Sequence, residues 1–163
     1  MNSEFKTAPA LQVSHWFNTL VPICLPPLRG KVVVVHAFQM LCPARVATGL
    51  PQARHIQALF SERDIVVIGL HTVFEHHAVM GADSLEVFVH AHALTYSIGI
   101  DQPCVQGNIL LIMQAYGLRG TPSLVVLDRL GRIRLNHFGH IDDLRIGALL
   151  GQLVAEKTRE NGL

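Results

Sequence analysis

Two short runs, Lys31–Phe38 (KVVVVHAF) and Ile65–Leu70 (IVVIGL), are β-branched and almost continuously apolar, the pattern of strands buried on both faces. Between them Val46, Leu50, Ala53, Ile56 or Gln57, and Phe60 recur at helical spacing, which predicts a helix from about Cys42 to Phe60. Parallel strands need such a crossover, so this stretch reads as a βαβ unit. Asp83-Ser84-Leu85-Glu86 offers an N-cap carboxylate with a Glu three residues on. Leu85, Phe88, Val89 and His92 then share one face, predicting a helix to about Thr95 and a short strand at Ser97–Ile100. Asn108 can cap a short helix through Tyr116 that Gly117 ends. Ser123–Leu127 (SLVVL) reads as a strand, and the turn Asp128-Arg129-Leu130-Gly131 returns the chain along Arg132–Phe138 as a β-hairpin. Asp142 opens a last helix with Ile146, Leu149, Leu150 and Leu153 on one stripe, fraying into Glu156–Leu163.

A parallel unit followed by an antiparallel hairpin and a terminal helix predicts an α/β fold, a mixed sheet with helices on both faces. The 163 residues suit one domain spanning 1–163, with 1–30 as an N-terminal extension and 157–163 as a frayed tail. Trp16 and Phe17 are expected to pack that extension over the sheet edge. Half the residues are apolar, 15% are charged and the mean hydropathy is +0.35, which excludes a disordered chain. No apolar run approaches the roughly 20 residues of a membrane span. A net charge of +1 without Lys/Arg runs gives no footprint for nucleic acid or anionic lipid, so neither is an expected partner. Cys24, Cys42 and Cys104 are too few and scattered for a disulfide scaffold, and residues 1–10 lack the apolar core of a secretory signal. A cytoplasmic location is the expectation.

The segment LPPLRGKVVVVHAFQMLCPAR (Leu25–Arg45) resembles the first strand and active-site turn of TlpA/ResA-like thioredoxin-fold proteins, which overlap with the alkyl hydroperoxide reductase/thiol-specific antioxidant (peroxiredoxin) group. YGLRGTPSLVVLDRLGRIR (Tyr116–Arg134) is similar to their second signature, a Gly-Thr-Pro with a cis proline followed by a hairpin. The two motifs stand in register, and the similarity covers about residues 8–155. The resemblance implies a thioredoxin-like fold, a thiol-disulfide oxidoreductase, no cofactor, and a protein or small-molecule thiol or disulfide as partner, with a homodimer left open.

A Cys just after a buried strand and at the start of a helix lies where free N–H groups and the helix dipole favour its thiolate, which makes Cys42 the expected nucleophile. Pro43 suits the first helical turn. In the family a second Cys three residues on resolves the mixed disulfide, and here that position is Arg45. A dithiol cycle within the motif is therefore excluded, and Cys42 is left as a monothiol whose anion the Arg45 guanidinium further favours. Resolution then falls to an external thiol or to Cys104, which follows a strand ending on the same side of the sheet. Cys24 is a lesser redox candidate. Thr121 and Pro122 match the loop that pairs with an extended substrate in the family, while Pro51 falls one residue later than the family's helix-kinking proline. Two other readings stay open: a non-catalytic protein that uses the groove by Pro122 for a peptide, and a peroxiredoxin-like peroxidase. The peroxidase pattern wants Pro and then Thr or Ser upstream of the Cys, where this chain has Val35 and Gln39.

Of ten histidines, His71, His76 and His77 gather in the stretch His71–His77, together with Glu75. A proton-exchange role beside the thiol for Glu75 or a His, a metal site built from His71, His76 and His77, and a plain solvated loop are the alternatives. No metal is expected, because the ligand spacing is wrong for a compact site. His36, inside a buried strand, and His92, on an apolar helix face, are expected to be hydrogen-bonded core residues.

Overall fold

The computed structural model describes residues 5–107 and 109–156, without the side chains of Ala44 and Arg45. Strand β1 (Val13–Phe17) comes first, followed by β2 (Val32–Phe38), α1 (Pro43–Leu59), β3 (Ile65–His71) and α2 (Ala82–Ala91). The remaining elements are β4 (Ser97–Asp101), α3 (Leu111–Ala115), β5 (Ser123–Leu127), β6 (Ile133–Phe138) and α4 (Asp143–Ala155). They form one six-stranded sheet in the order β1-β4-β3-β2-β5-β6. The centre, β4-β3-β2, is parallel, and β5 joins β2 antiparallel with Val35 opposite Val125 and Ala37 opposite Ser123.

Alternation along β2 splits the core into two layers. Val32, Val34 and Phe38 meet Leu50, Ala53 and Ile56 of α1, Leu85 and Val89 of α2, and Ile146, Leu150 and Leu153 of α4. Val33, Val35 and Ala37 face the other way, onto Ile112 of α3 and the apolar residues of the N-terminal segment. That segment is tied down at both ends. Ile133 N donates to Lys6 O (2.8 Å) and Ala8 N to Gly131 O (2.9 Å), and β1 then pairs antiparallel with β4.

Several expectations are corrected. Trp16 and Phe17 pack at the sheet edge as expected, but residues 13–17 also form a sheet strand that was not expected, because β4 leaves an open ladder that a five-residue segment completes. Helix α2 begins after Gly81, not at an Asp83 cap, and it stops at Ala91 rather than Thr95. The stop is a left-handed residue, Ala93 (φ 48°), with Ala93 N bonded to His90 O (3.1 Å) and Leu94 N to Val89 O (3.0 Å). His92 consequently sits exposed at the helix end, stacked on Phe88 (centroids 4.2 Å apart), and is not a core residue. The expected cap Asn108 lies outside the described residues. Helix α3 begins at Leu111, and its N-terminal N–H groups are met from β4, where Asp101 Oδ1 accepts from Ile112 N (2.9 Å) and Oδ2 from Met113 N (3.0 Å). Asp101 also accepts from Thr72 Oγ1 at 2.6 Å, and burial still raises its pKa from the ordinary carboxylate value.

His36 is buried as expected, but neither ring nitrogen has a protein partner. Its ring stacks on Phe38 and lies against α1 where residue 49 is glycine. A Cβ there would fall on His36 Nε2 and 2.9 Å from Cε1, so Gly49 is what lets α1 approach β2 this closely. Gly49→Ala should therefore cost about 1–3 kcal/mol by overpacking, read from urea unfolding. Pairing it with His36→Ala should recover most of that loss, and strict additivity in the double variant would disprove the contact.

Burial also lowers the pKa of His36 and of His71 from 6.5 to about 4. The unfolded chain takes up these protons from pH 6.5 downward and the folded chain does not until about pH 4. Stability is then complete above pH 6.5 and is lost as the pH falls between those values. Chemical denaturation should show a fall approaching about 1.4 kcal/mol per pH unit for each ring. His36→Leu should remove one ring's share, and an unchanged slope would assign the pH dependence to other groups.

Candidate active site

The topology gathers the chemistry at one end of the sheet. Strands β2, β3 and β4 are parallel and β5 is antiparallel, so the loops that leave the first three meet the loop that enters β5. Cys42 occupies the N-cap position of α1 with φ −115° and ψ 86°, its carbonyl accepting from Val46 N (2.9 Å) and its N–H donating to Gln39 O (3.3 Å). Pro43 follows as the first helical residue, where a missing N–H costs nothing. The thiol is half-buried and free.

Opposite the Cys42 turn, the peptide bond between Thr121 and Pro122 is cis. This loop is pinned on all sides. Gly139 N donates to Pro122 O (2.8 Å) and Ser123 Oγ to Gly120 O (2.7 Å). Gly120 has φ 156°, and a Cβ there would come within 2.9 Å of the Phe138 ring, so the loop needs glycine on both counts. Thr121 is fully buried, and its Oγ1 accepts from Gln39 Nε2 at 3.3 Å.

Gln39, which the sequence analysis considered only as a departure from the peroxidase pattern, is the most connected side chain here. It is 3% exposed, and its Oε1 accepts from Phe74 N (3.2 Å) and Glu75 N (3.3 Å). His71 supplies a second hook. Its Nε2 accepts from Met40 N (3.3 Å), which puts the ring proton on Nδ1, and its ring tilts against Phe38. The signal available in the sequence was a polar residue directly after seven consecutive buried positions, a place where backbone groups lose their ladder partners and need others.

The other predicted site residues divide. Glu75 has an exposed side chain, and only its backbone N–H enters the site. His71 is the last residue of β3 and fully buried, whereas His76 and His77 are exposed, so the three do not converge. A strand buries its final inward side chain while the loop beyond it is solvated, which corrects the grouping made from sequence proximity. Among the described residues no group of three or more His, Cys, Asp or Glu could hold a metal ion. Cys104 is half-buried and free on the loop after β4, with its N–H donating to Ile109 O (2.7 Å). Strand β3 lies between β4, which leads to the Cys104 loop, and β2, which leads to the Cys42 turn. Cys24 is exposed in the N-terminal segment, away from the loops of this sheet end. Position 45 lies in the first turn of α1, but the Arg45 side chain is outside the described residues. Pro51 lies inside α1, which continues to Leu59. Beside Phe74 a groove of about 400 Å³ opens toward Ile109, Met113 and Leu118.

No family model matches the chain, and no curated protein does. Solved structures do match. A thioredoxin-like superfamily protein superposes with a TM-score of 0.90 at 45% identity, covering 93% of this chain and 98% of its own. A thiol-disulfide isomerase from Corynebacterium glutamicum gives 0.86 at 45% identity, covering 92% and 98%. A thiol:disulfide interchange protein of the thioredoxin family from Chlorobium tepidum, at 15% identity and a TM-score of 0.72 over 95% of this chain and all of its own, shares the fold. A free cysteine at a strand-to-helix turn, facing a Gly-Thr-Pro loop on this sheet and matched over nearly the whole chain, has one consistent meaning: the protein belongs to the thioredoxin-like thiol-disulfide oxidoreductases.

Proposed function

We propose that the protein exchanges thiols and disulfides through Cys42 alone. The observation that carries this reading is the half-exposed, free thiol at the N-cap of α1 with arginine, not cysteine, three residues later. The Cys42 thiolate attacks one sulfur of a substrate disulfide. A bond forms between Sγ and that sulfur, the substrate S–S bond breaks, and the second substrate sulfur departs as a thiolate that takes up a proton. The mixed disulfide is opened by a second thiolate, which forms a new disulfide and returns Cys42 with no net oxidation. That thiolate comes from outside the motif. When it is another cysteine of the same substrate, the outcome is reshuffling, and the similarity to a thiol-disulfide isomerase favours that outcome.

The half-buried setting supports attack rather than simple packing, because the helix N-terminus stabilises negative charge developing on sulfur. Cys42→Ser should lower the formation of trapped mixed disulfides with a disulfide-bonded peptide by about 100-fold or more, followed by mass spectrometry. Equal trapping in that variant, through Cys24 or Cys104, would remove the proposal that exchange runs through Cys42.

Arg45→Cys should add the missing partner. Positions 42 and 45 lie about one helical turn apart on one face, so the variant should close an internal disulfide and gain insulin reduction with dithiothreitol as the reductant. Turbidity during insulin reduction reads the gain. A variant that stays no faster than the parent would show that the helix start no longer has the geometry of a dithiol motif.

A further inference from the structure

We propose that Gln39 is a positioning residue for disulfide exchange. Its carboxamide ties two loops to the turn that carries Cys42, so that a disulfide lying along the Pro122 loop meets Cys42 Sγ in line. This rests on the thiol-exchange reading above and goes beyond it by assigning the group that sets the approach.

The side chain is buried, and its orientation follows from its partners. Two backbone N–H groups, of Phe74 and Glu75, can be met only by the amide oxygen, which leaves the NH2 group to donate to Thr121 Oγ1. Its own carbonyl accepts from Cys42 N at 3.3 Å, so the same residue closes the turn that carries the thiol. One residue thereby joins the Cys42 turn, the loop after β3 and the cis-proline loop. An amide suits this place because it offers donor and acceptor together without charge. A carboxylate would keep the two N–H bonds but set a negative charge near a sulfur that must itself become negative. An aliphatic side chain of equal size would leave the two N–H groups and the Thr121 hydroxyl without this partner.

Displacement of sulfur from a disulfide proceeds along the S–S axis, so the attack depends on where the substrate loop lies relative to Sγ. Alkylation of the same thiol by a small freely tumbling reagent does not. The test compares two probes on the folded chain: iodoacetamide, and a peptide carrying a mixed disulfide with thionitrobenzoate, whose release is coloured. For Gln39→Ala and Gln39→Leu, the peptide rate should fall by about 10- to 100-fold while the iodoacetamide rate changes by less than about threefold. In Gln39→Glu, the carboxylate can accept from Phe74 N, Glu75 N and the Thr121 hydroxyl alike, so the loops stay joined and the peptide rate normalised to iodoacetamide should stay within about threefold of the parent.

Losses equal for both probes, or no loss for either, would overturn the positioning role. If Gln39→Ala does not fold, Gln39→Leu decides alone, and a normalised peptide rate equal to the parent's overturns the role. Failure of the parent chain to release thionitrobenzoate through Cys42 would sink the exchange reading itself, an outcome distinct from release by parent and variants alike.

Discussion

Strand β2 gives up all seven side chains to the interior, and its backbone is bonded on both sides, to β3 in parallel and to β5 antiparallel. A segment so enclosed can offer nothing to a substrate along its length. Chemistry is confined to where the strand runs out, and there the backbone loses its ladder partners while it is still partly covered. Met40, Phe74 and Glu75 each have an N–H in this zone, and each donates to a side chain rather than to a neighbouring strand. Bonds of this kind contribute about 0.5–1.5 kcal/mol each, but a buried donor left alone costs more. The polar side chains His71 and Gln39 are therefore needed by the fold before any reaction is considered.

The same device recurs one strand further along. Helix α3 has five residues, too short to hold itself, and Asp101 from the end of β4 meets two of its N–H groups while also accepting from Thr72. Side chains at the ends of β2, β3 and β4 thus fasten the loops and helix beyond the sheet to its parallel core. On the opposite layer, Gly49 brings α1 down onto His36, which fixes where the helix starts and so where Cys42 stands. Helix position and loop position are set by separate contacts, and the thiol lies where the two meet.

How much of this could be read in advance depended on whether the cause was local. The buried strands β2, β3 and β5 show as apolar runs, α1 as a helical repeat, and α4 with its Asp142 cap, whose side chain accepts from Leu144 N and Arg145 N, as a sequence signal realised at its own position. Elements with distant causes were hidden. Strand β1 exists because β4 offers an edge, α3 draws its capping acceptor from a residue ten positions before its start, and α2 stops at an alanine in a conformation usually taken by glycine. In the site, Cys42 and the Thr121-Pro122 loop were legible because strand-to-helix turns and Gly-Thr-Pro carry local signatures. Gln39 was not, since its partners lie 35, 36 and 82 residues away in sequence. His71 was misread for the opposite reason: proximity to His76 and His77 suggested a cluster that the end of β3 divides.

Position 45 holds arginine, and the contacts that place Cys42 can be traced among the described residues without it. The cis-proline loop keeps its bonds to Gly139 and Gln39, the turn keeps its bond from Cys42 N to Gln39 O, and α1 keeps its close approach through Gly49. None of these contacts runs through position 45. A scaffold whose geometry does not depend on a second thiol can carry one without changing the fold, and under the proposed single-cysteine exchange the lifetime of a mixed disulfide would be set by whichever outside thiol reaches it. On that proposal the rate of resolution is a property of the partner, while the rate of attack is a property of this chain.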